Sequence, residues 1–259
     1  MDEQGQILMR RVWRVAGKLL VSLVRVLSMN FGEVTFKDRE DAGRQLAERL
    51  VHYRAEAPVV LALPRGGVPV GYEVARTLQA PLDVFIARKL GAPYQPELAI
   101  GAVAQDGTRV GNERILREVG VSEDYIERVA AEETAEVKRR LILFRGERSE
   151  LEIRERTAIL VDDGIATGMT TEAAIQALRR QNPRRLILAV PVCADQTADW
   201  LRQEVDELIC LEEPSNLMAI GFWYQHFEQI SDEEVIELLE RARREQDERG
   251  ANNPDQRRS

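Results

Sequence analysis

The stretch from Thr157 to Arg180 constrains this chain more than any other. The apolar run "TAILV" enters two consecutive acids, Asp162 and Asp163, then "GIATGMTT" and a segment of helical periodicity. Strand, glycine turn, helix is the repeating unit of α/β folds, and a strand without polar alternation is one buried on both faces. A second such unit lies upstream: "VVLAL" after Pro58, the break Pro64-Arg65-Gly66-Gly67, and helical spacing from Val68 to Leu78. Further strands are expected in "LDVFIARKL", "RLILAVPV" and "ELICL", and helices over 38–53, 122–144, 195–203 and 231–244. Glu97 to Val110 carries two apolar stretches around Asp106-Gly107, a hairpin signal. The pattern predicts an α/β fold with a central parallel sheet flanked by helices, whose ligand site lies at the carboxyl ends of the strands.

At 259 residues, with 44% hydrophobic and 31% charged side chains, the chain can bury a core, which excludes collagen-like, wholly disordered and disulfide-scaffold classes. The net charge of −8 supplies no bulk positive field, so no nucleic-acid partner is expected. Cys193 and Cys210 lack metal-ligand spacing, and His52 and His226 are the only histidines, so no Cys/His metal cluster is expected and a reducing cytoplasm is the expected compartment. Each cysteine ends an apolar run and reads as a small buried hydrophobe.

Three segments are expected: a basic amphipathic extension over 1–28, the main domain over 29–246, and a disordered polar tail over 247–259. Residues 1–28 carry five cations and two acids, a surplus of +3, which leaves −11 for the remainder. The cations between Ile7 and Leu27 prevent a membrane span, although the basic face suits contact with an anionic membrane surface. A helix packed on the body, or upstream sequence ahead of a start at Met29, is the preferred reading of this segment.

The loop from Asp162 to Thr171 offers backbone N–H groups, the hydroxyls of Thr167, Thr170 and Thr171, and a helix N-terminus, all suited to a phosphate monoester. Asp162 and Asp163 can accept hydrogen bonds from a vicinal diol. Together these features point to a sugar phosphate, with 64–67 and Arg88-Lys89-Leu90-Gly91 expected to converge on the same crevice.

"ILVDDGIATGMT" resembles the phosphoribosyl pyrophosphate (PRPP) signature of type I phosphoribosyltransferases, and "LALPRGG" resembles that family's pyrophosphate loop. "ARKLGAPYQPELAIGAV" is similar to the flexible region over its active site, and the likeness extends over roughly residues 33 to 240. The group most resembled is that of bacterial phosphoribosyltransferase-domain proteins whose acceptor is unsettled. The resemblance implies a type I phosphoribosyltransferase-like fold with a small hood, built from the two terminal segments and the 97–111 hairpin. It implies that Asp162 and Asp163 hold the ribose 2- and 3-hydroxyls, and that Ala166, Thr167, Gly168, Met169 and Thr170 wrap the 5-phosphate. Arg65, Gly66 and Gly67 would bind pyrophosphate beside a non-proline cis peptide, and Arg88 and Lys89 would neutralise the leaving group. Mg²⁺ would be held mainly by oxygens of PRPP and by water, without dedicated protein ligands.

The implied activity is transfer of the 5-phosphoribosyl group from PRPP to a nitrogenous base or related planar acceptor, with release of pyrophosphate, in nucleotide metabolism. Alanine at 166 makes the loop more like that of adenine phosphoribosyltransferase, whose proton-handling acid lies in the flexible region, where Glu97 stands here. Phe222, Trp223 and Tyr224 are candidates for stacking on a planar acceptor or for packing in the core. Residues 91–95 suit a water-excluding lid. A regulator that binds PRPP without chemistry, and a hydrolase, are the rival readings; a homodimer is left open.

Overall fold

A computed structural model describes residues 35–251; the extension expected over 1–28 lies outside the described residues. Along the chain come α1 (Arg39–Leu50), a 3₁₀ turn (Val51–Glu56), β1 (Val59–Ala62), α2 (Gly67–Leu78), β2 (Leu82–Val84), β3 (Ala87–Ala92), β4 (Gln95–Ala104) and β5 (Arg109–Gly111). They are followed by α3 (Glu113–Val119), α4 (Glu123–Arg145), β6 (Thr157–Val161), α5 (Met169–Arg180), β7 (Arg185–Val192), α6 (Asp195–Glu204), β8 (Glu207–Glu212) and α7 (Asp232–Ala251).

The main sheet has five strands in the order β2-β1-β6-β7-β8, and all its pairs are parallel. Apart from the half-buried edge strand β8, its strands are buried on both faces, and the two-residue period sorts their side chains between two cores. Val60, Ala62, Ile159, Val161, Ile187 and Ala189 pack with the apolar stripes of α1, α2 and α7. Val59, Leu61, Ala158, Leu160, Leu186 and Leu188 pack on the other side with α5 and α6. Each valine, leucine and isoleucine among them contributes about 1.5–3 kcal/mol by leaving water, and the doubly covered sheet is the rigid platform on which the loops stand.

Local signals set the element ends. Asp38 caps α1, its Oδ1 accepting from the amide of Asp41 at 2.8 Å, and Ser122 caps α4 through the amide of Tyr125. Three expectations need correction. "LDVFIARKL" is not one strand: β2 ends at Val84, and β3 begins a separate antiparallel sheet, β3-β4-β5. Between them the amide of Phe85 still bonds to Ala62, whereas that of Ile86 turns to the side chain of Gln105. The 97–111 hairpin pairs with β3 instead of joining a hood, and residues 91–95 include the tight turn between β3 and β4, with Tyr94 at φ +63°. The last helix continues to Ala251, past the expected tail boundary at 247, and 252–259 lie outside the described residues.

The hood that does form joins both ends of the domain. Phe36 makes a parallel bridge with Tyr224, and Phe36, Ala42 and Tyr224 form a small buried cluster with Phe227 packed against it.

Candidate functional site

Two of the three expected loops meet. Asp162 and Asp163 follow β6 directly, and Pro64 to Gly67 lead from β1 into α2; because β1 and β6 pair in register, both loops leave the same edge of the sheet. The Leu63 amide donates to the Val161 carbonyl at 2.9 Å. A Cβ on Gly67 would stand 2.8 Å from that carbonyl oxygen and 3.0 Å from the Cα of Asp162, so the loops touch backbone to backbone only because position 67 has no side chain. The Pro64–Arg65 peptide is cis, as the resemblance implies.

Asp163 is the most constrained residue of the pair. Its Oδ2 accepts from Nε of Arg39 at 2.7 Å in a pair whose side chains are only 9% and 13% exposed. Its carbonyl accepts from the Tyr224 hydroxyl at 2.6 Å. Burial, reinforced by the charge of Asp163, pushes the Tyr224 phenol far above its ordinary value, so it remains a donor. Asp162 has the opposite character to an ordinary loop acid. Burial first and the Asp163 charge second raise its pKa well above the usual carboxylate range, against the pull of the Asp163 amide on Oδ1 at 2.8 Å and of the Arg39 charge. Two adjoining carboxyls, one ion-paired and one inclined to keep its proton, present both an acceptor and a donor to a pair of hydroxyls.

The loop beyond them ends at an uncapped helix start, a geometry able to receive an anion. Gly168 takes φ +74° in front of α5, and no side chain caps this helix, so its first amides have no side-chain acceptor. A Cβ on Gly168 would meet Trp200 at 2.7 Å, which with the positive φ excludes other residues. Ala166 and Thr167 are exposed, Met169 is buried, and Thr170 is half-buried. The Ala166 carbonyl is fixed from behind by the Thr197 hydroxyl of α6 at 2.7 Å. Leucine- and alanine-rich faces of α5 and α6 bury this back wall.

Arg88 and Lys89 are placed differently from expectation. They lie inside β3 of the antiparallel sheet, not at the carboxyl end of a main-sheet strand, and so point to opposite faces. Arg88, beside Val103 on the α4 side, is ion-paired with Glu133 of α4; Lys89, opposite Ala102, takes the face that meets α5. Arg65 contacts Asp232, the first residue of α7, at 3.5 Å. Glu97 lies on β4, and its side chain is outside the described residues.

Four residues that hold the site went unassigned in the sequence: Arg39, Tyr224 as a loop anchor, Thr197 and Trp200. Arg39 left a signal, because it falls in register with Ala42, Gly43, Leu46 and Leu50, the buried stripe of α1. Tyr224 is 4% exposed and sandwiched between Phe36 and Phe227, with ring centroids at 5.3 and 4.9 Å, so it is a core residue and not a stacking platform. Cys193 is buried and Cys210 half-buried, and burial pushes both thiols to about 12. Among the described residues no group of three His, Cys, Asp or Glu could hold a metal ion, and no helix is long and apolar enough to cross a membrane.

Comparison with known proteins gives this geometry its family. Two Mycobacterium tuberculosis proteins, MT0597 of strain CDC 1551 / Oshkosh and Rv0571c of strain H37Rv, both named provisionally as phosphoribosyl transferases, are each 46% identical over 216 residues. The match takes in 83% of this chain and 49% of theirs, so the chain spans about half the length of the curated relatives it matches. The crystal structure of TT1426 from Thermus thermophilus is 41% identical, with a TM-score of 0.67, covering 79% of this chain and 97% of that one. The family profile described as the phosphoribosyl transferase domain matches residues 35–226. A sheet of this order, carrying two acids and an uncapped helix at one edge, therefore places the chain in the phosphoribosyl transferase domain family.

Proposed function

We propose that this domain transfers the 5-phosphoribosyl group of PRPP to a planar nitrogenous acceptor with release of pyrophosphate. The observation that carries the reading is the contact between the Asp162–Asp163 turn and the Pro64–Gly67 loop, beside the uncapped N-terminus of α5. A ribose held by the two acids then has its 5-phosphate at the helix and its anomeric substituent toward the 64–67 loop. Leaving-group departure makes an oxocarbenium-like sugar and an anion, and the Asp163 carboxylate and the loop amides complement those two charges. Lys89, Arg65 and Arg88 are the cations assigned to pyrophosphate, and Glu97 is the acid assigned to the acceptor proton. The donor set would suit Mg²⁺ that arrives with PRPP: the Asp163 oxygen Oδ2 is taken by Arg39, and Asp162 and Asp163 would serve the ribose hydroxyls rather than enclose the ion. When bound, the ion neutralises charge on the diphosphate. Since both cysteines are free thiols, we place the reaction in a reducing cytoplasm.

The test is pyrophosphate release from Mg²⁺-PRPP across a panel of purine and pyrimidine bases, adenine first. Release that requires one base supports the transferase. A second reading, a PRPP-binding regulator without chemistry, is favoured by the carboxylates that already hold Arg88 and Arg65. Tight PRPP binding with no release for any base would establish it, and release indifferent to the base would mark a hydrolase.

A further inference from the structure

Arg39 is an arginine on the buried face of an amphipathic helix, 8% exposed, and its guanidinium is fixed in three directions at once. Nε donates to Oδ2 of Asp163 at 2.7 Å, Nη1 donates to the Glu228 carbonyl at 2.8 Å, and the plane lies over the Phe227 ring with Cζ 3.8 Å from its centroid. The hood residue Tyr224 takes the backbone of the same aspartate through its carbonyl. Burying a guanidinium is unfavourable, and an apolar side chain would fill the α1 stripe without that penalty. What an apolar residue lacks is a planar set of donors able to bind a carboxylate and a carbonyl together.

We propose that Arg39 is a positioning residue of the ribose-diol site, which clamps Asp163 between the hood and the 64–67 loop and so selects ligands that carry both ribose hydroxyls. The inference rests on the reading of Asp162 and Asp163 as the diol acids. With Oδ2 committed to Arg39, a ligand hydroxyl is directed to the other oxygen, Oδ1. The carboxylate is also backed by the loop, since a Cβ on Gly66 would stand 1.9 Å from Oδ2. Without Arg39 the Asp163 side chain loses the contact that sets its torsion, and discrimination between one hydroxyl and two should fall before general phosphate binding does.

The probe pair is ribose 5-phosphate and 2-deoxyribose 5-phosphate, which share the phosphate and differ by one hydroxyl. Their affinities are measured by calorimetry on the full chain for the parent, Arg39→Gln, Arg39→Lys and Arg49→Gln, the last an exposed cation of the same helix. The parent should prefer the ribose compound by about tenfold, the range of one charge-assisted hydrogen bond. Arg39→Gln should bring the ratio within about twofold while weakening the deoxy ligand little, and Arg49→Gln should match the parent. Arg39→Lys should also lower the ratio, because an ammonium cannot serve Asp163 and Glu228 together while lying flat on Phe227. Should Arg39→Gln fail to fold, the lysine variant carries the test alone. A parental ratio in Arg39→Lys, or an equal loss for both sugars, overturns the proposal. A parent that does not distinguish the sugars overturns the diol reading and this inference with it, an outcome separate from variants that merely match a discriminating parent.

Discussion

The Asp163 carboxylate occupies the space in which a side chain of Gly66 would stand, since a Cβ there would fall 1.9 Å from Oδ2 and 2.5 Å from Cγ. Gly66 has φ −61°, an ordinary helical value, so glycine is required here by crowding and not by backbone conformation. The loop assigned to pyrophosphate and the acid assigned to ribose are thus mechanically one unit.

Gly66→Ala should therefore displace the carboxylate, break its contact with Arg39 and weaken PRPP binding by about tenfold or more. Deleting the obstructing group should relieve the alanine. The stability loss of Gly66→Ala, read by urea unfolding, should be smaller in an Asp163→Ala background, with a coupling of about 0.5–3 kcal/mol. Additive losses would show that the two residues do not press on each other.

Thr197→Val removes the hydroxyl that fixes the Ala166 carbonyl while keeping the shape of the side chain. The expected loss of stability is about 0.5–1.5 kcal/mol. Affinity for ribose 5-phosphate should fall with it, because the Ala166 carbonyl then loses the donor that fixes it from behind. Unchanged affinity in calorimetry would mean that α6 does not set the loop.

Asp162 gives the unliganded protein a pH signature. Its folded pKa is raised by burial and by Asp163, so over the window from its ordinary value up to the folded one the native state binds more protons than the unfolded chain, and stability falls as pH rises. Asp162→Asn should abolish that fall and leave the protein about 1 kcal/mol or more stabler than the parent at pH 8, with little difference at pH 4. Parallel urea curves for parent and variant at the two pH values would contradict it.

Glu133→Gln should release Arg88 from its ion pair on α4. If Arg88 serves the leaving group, pyrophosphate affinity should rise roughly two- to fivefold, the range of a partly exposed pair. No gain in a pyrophosphate titration would retire Arg88 from the site and leave Lys89, on the other face of β3, as the relevant cation.

The main sheet was legible because its strands are short, apolar and punctuated by glycine or proline, and the D-D-G-I-A-T-G-M-T loop was legible because its chemistry is contiguous. What sequence reasoning missed was contributed at long range. Arg39 and Asp163 are 124 residues apart, Tyr224 and Asp163 61 apart, and no local periodicity links them. The split of 82–90 into two strands escaped for a related reason: its apolar run is continuous, and only the pairing of β2 with β1 and of β3 with β4 decides where it breaks. Arg88 and Lys89 were misplaced by the same error.

The bridge between Phe36 and Tyr224 bears on how the domain comes into being. Asp163 is held by Arg39 near the start of the domain and by Tyr224 near its end, and Arg39 itself reaches the Glu228 carbonyl across 189 residues. A chain leaving the ribosome can assemble β1, β2 and β6 before the segment carrying Tyr224 has emerged, so the contacts that hold Asp163 are completed only after those strands can pair. A protease nick between β8 and α7 would likewise spare the sheet's pairing while loosening the hold on Asp163, so a chain that still looks folded would keep its phosphate loop and lose its preference for the second hydroxyl.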